Sequence, residues 1–392
     1  MTAARCNPRV FRILFCNYEY PPIGGGGGTC SHNLARQLVR RGHEVEVMTA
    51  RYRGLKRSVR LGGLHIRRVA ALRSRPDQSN PLEMASYALS AGLHLLARNA
   101  PRPDVVVSFH TIPSGLAAFP YCRLHGVPHI ALLRGGDVPG WLPQRMAGWH
   151  RATLPLNRMI VYTSSACLAN SDGLRALAQR AFPRKKIGVL QNGVDLRAFC
   201  PPRRPRSARG DSTLQFLFVG RITSQKGIDS LLRAMARRQF AAMDWKLNVV
   251  GDGPQLAEYV ELSKELGIID RVNFRGWVQR RELRGHYDSA DILVFPSRYE
   301  GMPNAVLEAT GCGLPVVATR TAGTVQIIRD GENGFLVDVD DEDALAQRIG
   351  TLMTDRPLRL RLGENARRIA EAQWSWEARA AELEKLIAGI LD

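Results

Sequence analysis

The chain has 392 residues, enough for two domains with a sizeable core each; a hydrophobic content of 45% excludes bulk disorder and collagen-like sequence, and no internal repeat at a solenoid period is visible. Its net charge of +19 lies wholly in residues 1–200, where 28 Lys/Arg stand against 9 Asp/Glu; residues 201–392 balance at 27 against 27. An anionic membrane, acidic glycans or nucleic acid would answer such a surplus, as would a merely arginine-rich composition; no aromatic–basic stacking motif speaks for nucleic acid, and the membrane is the preferred reading.

The first apolar run, Val10-Phe-Arg-Ile-Leu-Phe-Cys16, reads as a strand with no signal peptide before it. A glycine loop follows, Pro21-Pro-Ile-Gly-Gly-Gly-Gly-Gly28. The next helix carries Leu34, Ala35, Leu38 and Val39 at helical spacing and ends at Gly42. Glycines let a backbone approach a phosphate whose charge then meets the helix N-terminus; a plain tight turn is the other reading. The loop lacks the strict dinucleotide fingerprint, which places an NAD oxidoreductase far down the order of candidates. Glu44-Val-Glu-Val-Met48 is the second strand, 82–97 is a mostly apolar helical stretch, and Val105-Val-Val-Ser-Phe109 is a buried strand running into His110. His110 reads either as a donor to a bound sugar or as a capping or core histidine. Ile130-Ala-Leu-Leu133 runs into Arg134-Gly-Gly-Asp137, where the two charged residues either position an acceptor or pair structurally. Met159-Ile-Val-Tyr162 reads as a further strand.

Pro201 to Asp211, rich in proline and arginine and without periodicity, reads as a linker. The strand–helix pattern then restarts. Leu214–Val219 leads into Gly220-Arg221, with Lys226 five residues on, and two cations at a strand–helix junction suit a diphosphate leaving group. Leu247–Val250 leads into Gly251-Asp-Gly-Pro254, and Val272–Phe274 into Gly276-Trp277. Ile292-Leu-Val-Phe-Pro296 leads into Glu300-Gly-Met-Pro-Asn-Ala-Val-Leu-Glu308. With Pro303 in the first turn of a helix, Glu308 lies about one turn inside it. Eight residues of helix rise about 12 Å, the span from ribose to sugar in a nucleotide-sugar, so the two carboxylates can accept hydroxyls from both ends. Pro315–Ala318, Gly334–Val337 and a terminal helix near 374–391 close the series. Asp338-Val-Asp340 spells a metal-binding string in some transferases, yet its place before Asp341-Glu-Asp reads as helix capping, and no metal is expected.

Strands alternating with helices mean open parallel sheets covered on both faces, with ligands outside the strands' carboxyl ends. The expected domains are 1–200, a linker 201–211, 212–372, and a helix 373–392 crossing back to the first. Seven cysteines without a C-x-x-C pair predict reduced thiols. With no apolar run of about 18 residues, the chain is expected to be cytoplasmic and peripheral to the inner face of the cytoplasmic membrane.

In order along the chain, Gly25-Gly26, Gly42-His-Glu-Val45, His110, Asn192-Gly-Val-Asp195, Val219-Gly-Arg221 with Lys226-Gly227, Gly251-Asp-Gly-Pro254, the two glutamates seven residues apart, Gly313-Leu-Pro-Val-Val-Ala318 and Trp374-Ser-Trp376-Glu377 resemble the retaining glycosyltransferases of family four, once called group one. The resemblance implies the GT-B fold, two Rossmann-like doubly wound α/β domains facing across a cleft. It implies transfer of a hexose from a UDP- or GDP-sugar to a glycan or lipid-linked acceptor with retention, by front-side displacement in which the departing phosphate takes the acceptor proton. It assigns Glu300 to donor-sugar hydroxyls with the backbone N–H groups of Gly301, Met302 and Pro303, Glu308 to the ribose, and Arg221 and Lys226, with Gly220, to the diphosphate. Gly25 and Gly26 close on the donor, and His110 matches the family's strand-end histidine and joins the catalytic set; the acceptor-side placement of Arg134 and Asp137 rests on their own position at a strand end. Where the family has Gly-Gly and then Glu, this chain has Ala322-Gly323 and Gln326. A nucleotide-sugar epimerase of the same fold and a degenerate, non-catalytic binding subunit are the alternatives.

Overall fold

The computed structural model describes residues 9–75, 79–141, 143–203, 206 and 213–392. Most of the expected linker lies outside them. The chain forms two compact units, Met1–Asn192 with Trp376–Asp392, and Gly193–Ser375.

The first unit holds β1 (Arg12–Cys16), β2 (Glu44–Ala50), β3 (Ser58–Leu61), β4 (Leu64–Val69), β5 (Val105–Phe109), β6 (His129–Leu133), β7 (Ala166–Ala169) and β8 (Ile187–Val189). Their order is β3-β4-β2-β1-β5-β6-β7-β8. All pairings are parallel except β3 with β4, an edge hairpin that the sequence reading did not foresee. Both faces of β1 are buried, so its apolar run is continuous rather than alternating. Ile13 and Phe15 join one core layer under the helices Gly26–Arg40 and Trp376–Leu391. Leu14 and Cys16 join the other, under Pro81–Leu96 and Leu116–His125. Met159–Tyr162, expected as a strand, lies instead within the helix Pro143–Thr163. A four-residue apolar run has no period of its own, and here Ile160 and Val161 fill one side of a helix against Leu133 and Ala169.

The second unit holds β9 (Leu214–Val219), β10 (Trp245–Val250), β11 (Val272–Gly276), β12 (Ile292–Phe295), β13 (Val316–Thr319) and β14 (Gly334–Val337). All are parallel, in the order β11-β10-β9-β12-β13-β14. Residues 193–200, expected with the first domain, belong to this unit. Val194 and Phe199 are apolar and bury in its core, and Val194 N–H donates to Trp374 O at 2.6 Å.

The winding direction reverses between β1 and β5 in the first sheet and between β9 and β12 in the second. At such a point the loops from neighbouring strands diverge and leave a crevice at the carboxyl edge. Every residue singled out from the sequence for chemistry follows a strand's carboxyl end or the helix after it.

One buried titratable group sets an acid limit on the first unit. His129 opens β6 with Nε2 2.8 Å from Ser108 Oγ, and burial, followed by the charge of Lys185, pushes its pKa down from 6.5 to about 4. The fold therefore binds fewer protons than the unfolded chain between these values, so stability is complete above pH 6.5 and is lost as pH falls toward 4. The loss amounts to about 3 kcal/mol. Chemical denaturation of wild type and His129→Gln across this window should show the steeper acid dependence in wild type.

Candidate functional site

In the second unit the turn after β9 and the turn after β12 are fastened together. Arg298 N–H donates to Gln225 O at 2.7 Å, and Gln225 Nε2 donates to Tyr299 O at 2.7 Å. Gly227 follows the short helix Ser224–Lys226 with φ +63°, and a Cβ there would stand 2.1 Å from Pro296 O. Only glycine permits both the left-handed backbone and this approach. Arg298 adds bonds to Asp229 at 2.8 and 3.1 Å and to Asp340 at 2.7 Å, and these partners raise its pKa further. That arginine is a fastening, fully committed to the protein.

The fastened turns bring together two of the residues expected at the diphosphate and sugar. Lys226 Nζ lies 2.5 Å from Glu300 Oε1, and Ser297 Oγ lies 2.6 Å from the same oxygen. Glu300 is only 8% exposed. With Oε1 holding both donors, Oε2 has no bonded partner among the described residues and can accept from a ligand hydroxyl. Ser297 was missed in the sequence. It ties three strand ends, reaching Gln225 O and receiving Thr319 Oγ1 on its carbonyl. Its one signal is its position directly after Phe295-Pro296.

Arg221 follows Gly220 in the turn after β9, exposed, and this turn presses on the next one: a Cβ at Gly251 would stand 1.8 Å from Gly220 O. Glu308 sits in the helix Asn304–Gly311, with Tyr287 Oη 3.0 Å from its Oε2 and Arg280 Nη1 3.2 Å from its Oε1.

 Tyr287 thus donates to one carboxylate oxygen and Arg280 pairs with the other. Burial raises the pKa of Glu308, against the pull of Arg280 and Tyr287. Helix begins only at Asn304, with Pro303 as its N-cap, so half of the span from Glu300 to Glu308 is a turn and the rise of eight helical residues does not apply. Pro303 carries no N–H, which leaves Gly301 and Met302 as the backbone donors of that turn. Gly323, in the segment where the chain departs from its family, packs on this turn: a Cβ there would stand 2.4 Å from Gly301 O.

Asp338 and Asp340 are engaged by arginines, Asp338 with Arg320 at 3.6 Å and Asp340 with Arg298, while Asp341 caps the helix Glu342–Thr354.

The first unit presents a second group of residues at the carboxyl edge between β1 and β5. His110 leaves β5 with φ +71° and ψ 142°, a backbone conformation that is costly outside glycine and concentrates at functional sites. Its Nδ1 is buried with no hydrogen-bond partner among the described residues. The ring stands edge-on to Tyr18 and against Gly27, where a Cβ would meet its Cε1 at 3.1 Å. The glycine loop is organised by residues that the sequence reading passed over. Glu19 Oε2 accepts from Gly25 N–H at 3.0 Å, and Asn17 Nδ2 donates to Gly27 O at 3.2 Å. Gly25 therefore already has an anionic partner inside the protein. Asp137 is buried and accepts from the N–H groups of Arg134, Gly135 and Thr111 at 2.9, 3.0 and 3.2 Å. Arg134 Nη2 donates to Asn192 Oδ1 at 2.8 Å.

Two Rossmann-like units with polar, glycine-rich turns at their carboxyl edges define the GT-B class. The family model for group 1 glycosyl transferases matches residues 202–369, and that for glycosyltransferase family 4 matches residues 24–198. The chain belongs to this family and is a glycosyltransferase. It is 28% identical, over 96% of its length and 98% of the relative's, to a GDP-mannose-dependent α-(1-6)-phosphatidylinositol monomannoside mannosyltransferase of Mycolicibacterium smegmatis. It is 27% identical, over 93% of its length and 96% of the relative's, to an α-maltose-1-phosphate synthase of Mycobacterium tuberculosis. The solved sucrose-phosphate synthase of Thermosynechococcus elongatus shares the fold, with a TM-score of 0.82 at 22% identity over 97% of this chain and 99% of that one.

The packing of Gly323 on Gly301 yields a direct test. Gly323→Ala should displace the Glu300 turn and reduce glycosyl transfer by at least about tenfold, since small misplacements at a reacting centre are expensive. Gly285→Ala, in a helix with nothing within 4 Å of the added methyl, should leave the rate unchanged. Steady-state rates of the two variants make the comparison.

Proposed function

We propose that the chain transfers a hexose from a UDP- or GDP-sugar, with retention, to a lipid-linked or glycan acceptor of a surface polysaccharide or glycolipid. The observation that carries this reading is the Lys226–Glu300–Ser297 cluster at the switch point of the second sheet. It holds a buried carboxylate with one oxygen committed and one available, next to a cation. Glu300 accepts from the sugar's hydroxyls, with Gly301, Met302 and Pro303 lining the same turn. Arg221, Lys226 and the Gly220 turn meet the diphosphate, whose charge grows as the glycosidic bond breaks. Glu308 takes the ribose. In the first unit, His110, Gly25 and Gly26 are assigned to the donor, and Arg134 and Asp137 to the acceptor side, where Asp137 acts by holding the turn that carries Arg134.

Retention fits a front-side displacement. The bond between the sugar's anomeric carbon and the phosphate oxygen breaks, and its electrons leave with the diphosphate. The acceptor oxygen bonds to the same face of that carbon, and its proton passes to the departing phosphate. Glu300, bonded to Lys226 and Ser297, acts in this scheme as a hydrogen-bond acceptor. The diphosphate is neutralised by side chains and backbone, without a metal. The mycobacterial mannosyltransferase relative, named for a GDP-mannose donor and a phosphatidylinositol-based acceptor, favours a lipid acceptor for this chain as well. The basic surplus of residues 1–200 supports work at the anionic inner face of the cytoplasmic membrane. Among the described residues no helix is long and apolar enough to cross a membrane.

Incubation with labelled nucleotide-sugars, a lipid extract and EDTA tests the reading. Wild type should transfer sugar despite chelation, giving a product with the donor's anomeric configuration by NMR, and Glu300→Gln should be slower by well over about tenfold. Inversion, or an unchanged rate in the variant, would remove this assignment.

A pH series tests Glu308. Its pKa is raised, so the acceptor carboxylate is lost at a higher pH than the 4.5 of an ordinary glutamate. Nucleotide affinity by calorimetry should fall as pH drops through that raised value. In Glu308→Gln the affinity should be weaker and flat over the same range.

A further inference from the structure

The helix Pro81–Leu96 is apolar on both of its sides. Tyr87, Ala88, Ala91 and Leu95 are buried against the first sheet. Leu82, Leu89, Leu93 and Leu96 are exposed by 77, 66, 59 and 44%. At the helical repeat these four fall within about 60° of one another, a single stripe along a helix about 24 Å long. Ala85 is exposed between them, and Glu83, the helix's one acidic residue, is buried in the capping box with Asn80. Leu72 extends the stripe. It is 69% exposed, and its N–H donates to Ser86 Oγ at 2.9 Å.

The segment packed beside this helix supplies the charge. Residues 51–75 contain nine Lys/Arg and no Asp or Glu, and Arg51, Arg53, Lys56, Arg57, Arg60 and Arg75 are exposed. Tyr52, Leu55, Ala71 and Met84 share one core cluster, which fixes the basic segment against the helix. Arg67 reaches His94 near the helix's far end, Nη1 to Nε2 3.1 Å.

A contiguous apolar stripe of this size marks an interaction surface, and the charge beside it selects the occupant. A second copy of the chain would bring an identical basic rim against this one, since a two-fold interface matches each patch with itself. An anionic leaflet instead offers acyl chains to the leucines and phosphates to the arginines. We propose that the outer face of Pro81–Leu96 enters the boundary between headgroups and acyl chains of an anionic bilayer, with the 51–75 segment on the lipid phosphates. This rests on the membrane reading above and adds to it an apolar insertion that salt does not screen.

Sedimentation with vesicles of equal parts phosphatidylglycerol and phosphatidylcholine, at about 0.1 and about 0.5 M NaCl, separates the two contributions. Wild type should bind at low salt and retain a bound fraction at high salt. Leu89→Glu with Leu93→Glu should lose the salt-resistant fraction and bind at least about tenfold more weakly at low salt, as expected when buried apolar area is removed. Both side chains are exposed, so thermal unfolding and UDP or GDP binding should be unchanged; if the glutamates perturb folding, Leu82→Gln with Leu89→Gln gives the same comparison. Wild-type binding that salt abolishes and the leucine variants do not alter would overturn the insertion and leave the electrostatic reading standing. No wild-type binding at either salt would remove both. A dimer in solution that the variants dissociate, without any change in vesicle binding, would give the stripe to a second copy and overturn the proposal.

Discussion

The contact between Lys226 and Glu300 is the interaction around which the candidate site of the second unit is built. Both side chains are largely buried, and taking two charges out of water costs several kcal/mol per ion before their attraction is counted. Well-packed apolar residues would serve stability at least as well, so the pair is better explained by what it can bind. It exists because the chain reverses between β9 and β12, which sets the turn carrying Lys226 beside the turn carrying Glu300. Gly227 then allows the backbone of one turn to lie on the carbonyl of Pro296 in the other. Fold topology, one glycine and two polar side chains form a single causal sequence.

The first unit shows the same logic with a different means. Its reversal between β1 and β5 sets the glycine loop beside His110, and the histidine's left-handed backbone is held by Leu132 O on its N–H and by Gly115 N–H on its carbonyl. Strain that the surroundings over-determine in this way fixes a ring to a direction. Glu19 fixes the loop opposite it. A carboxylate on the Gly25 amide neutralises part of the positive field at the start of the Gly26–Arg40 helix, so a phosphate arriving there would compete with a residue already in place.

Much of this was legible in the chain because strand ends announce themselves. Apolar runs that stop at Gly220, His110 or Pro296 mark the sheet's carboxyl edge, and polar residues just beyond them fall at the ligand edge by topology alone. Ser297 and Glu19 were not legible, since their roles depend on which turns touch, and a serine or glutamate in a loop carries no such signal. Met159–Tyr162 misled because four apolar residues fit a buried helix as well as a strand. The Pro81–Leu96 helix was readable as helix, but its outer leucines were not readable as exposed: a sequence that is apolar all round looks like core until tertiary packing shows which half the sheet covers.

The closing helix, Trp376–Leu391, has a consequence for biosynthesis. Trp376, Ala380, Leu383 and Ile387 sit in the same core layer as Phe11, Phe15 and Leu38, so the unit synthesised first cannot finish its interior until this helix has left the ribosome. The unit spanning 193–375 is continuous and has no such dependence on a later segment. Domains generally fold as they emerge, but here the order is inverted: the later-made half can close while the earlier-made half still waits, with the layer beneath the Gly26–Arg40 helix incomplete.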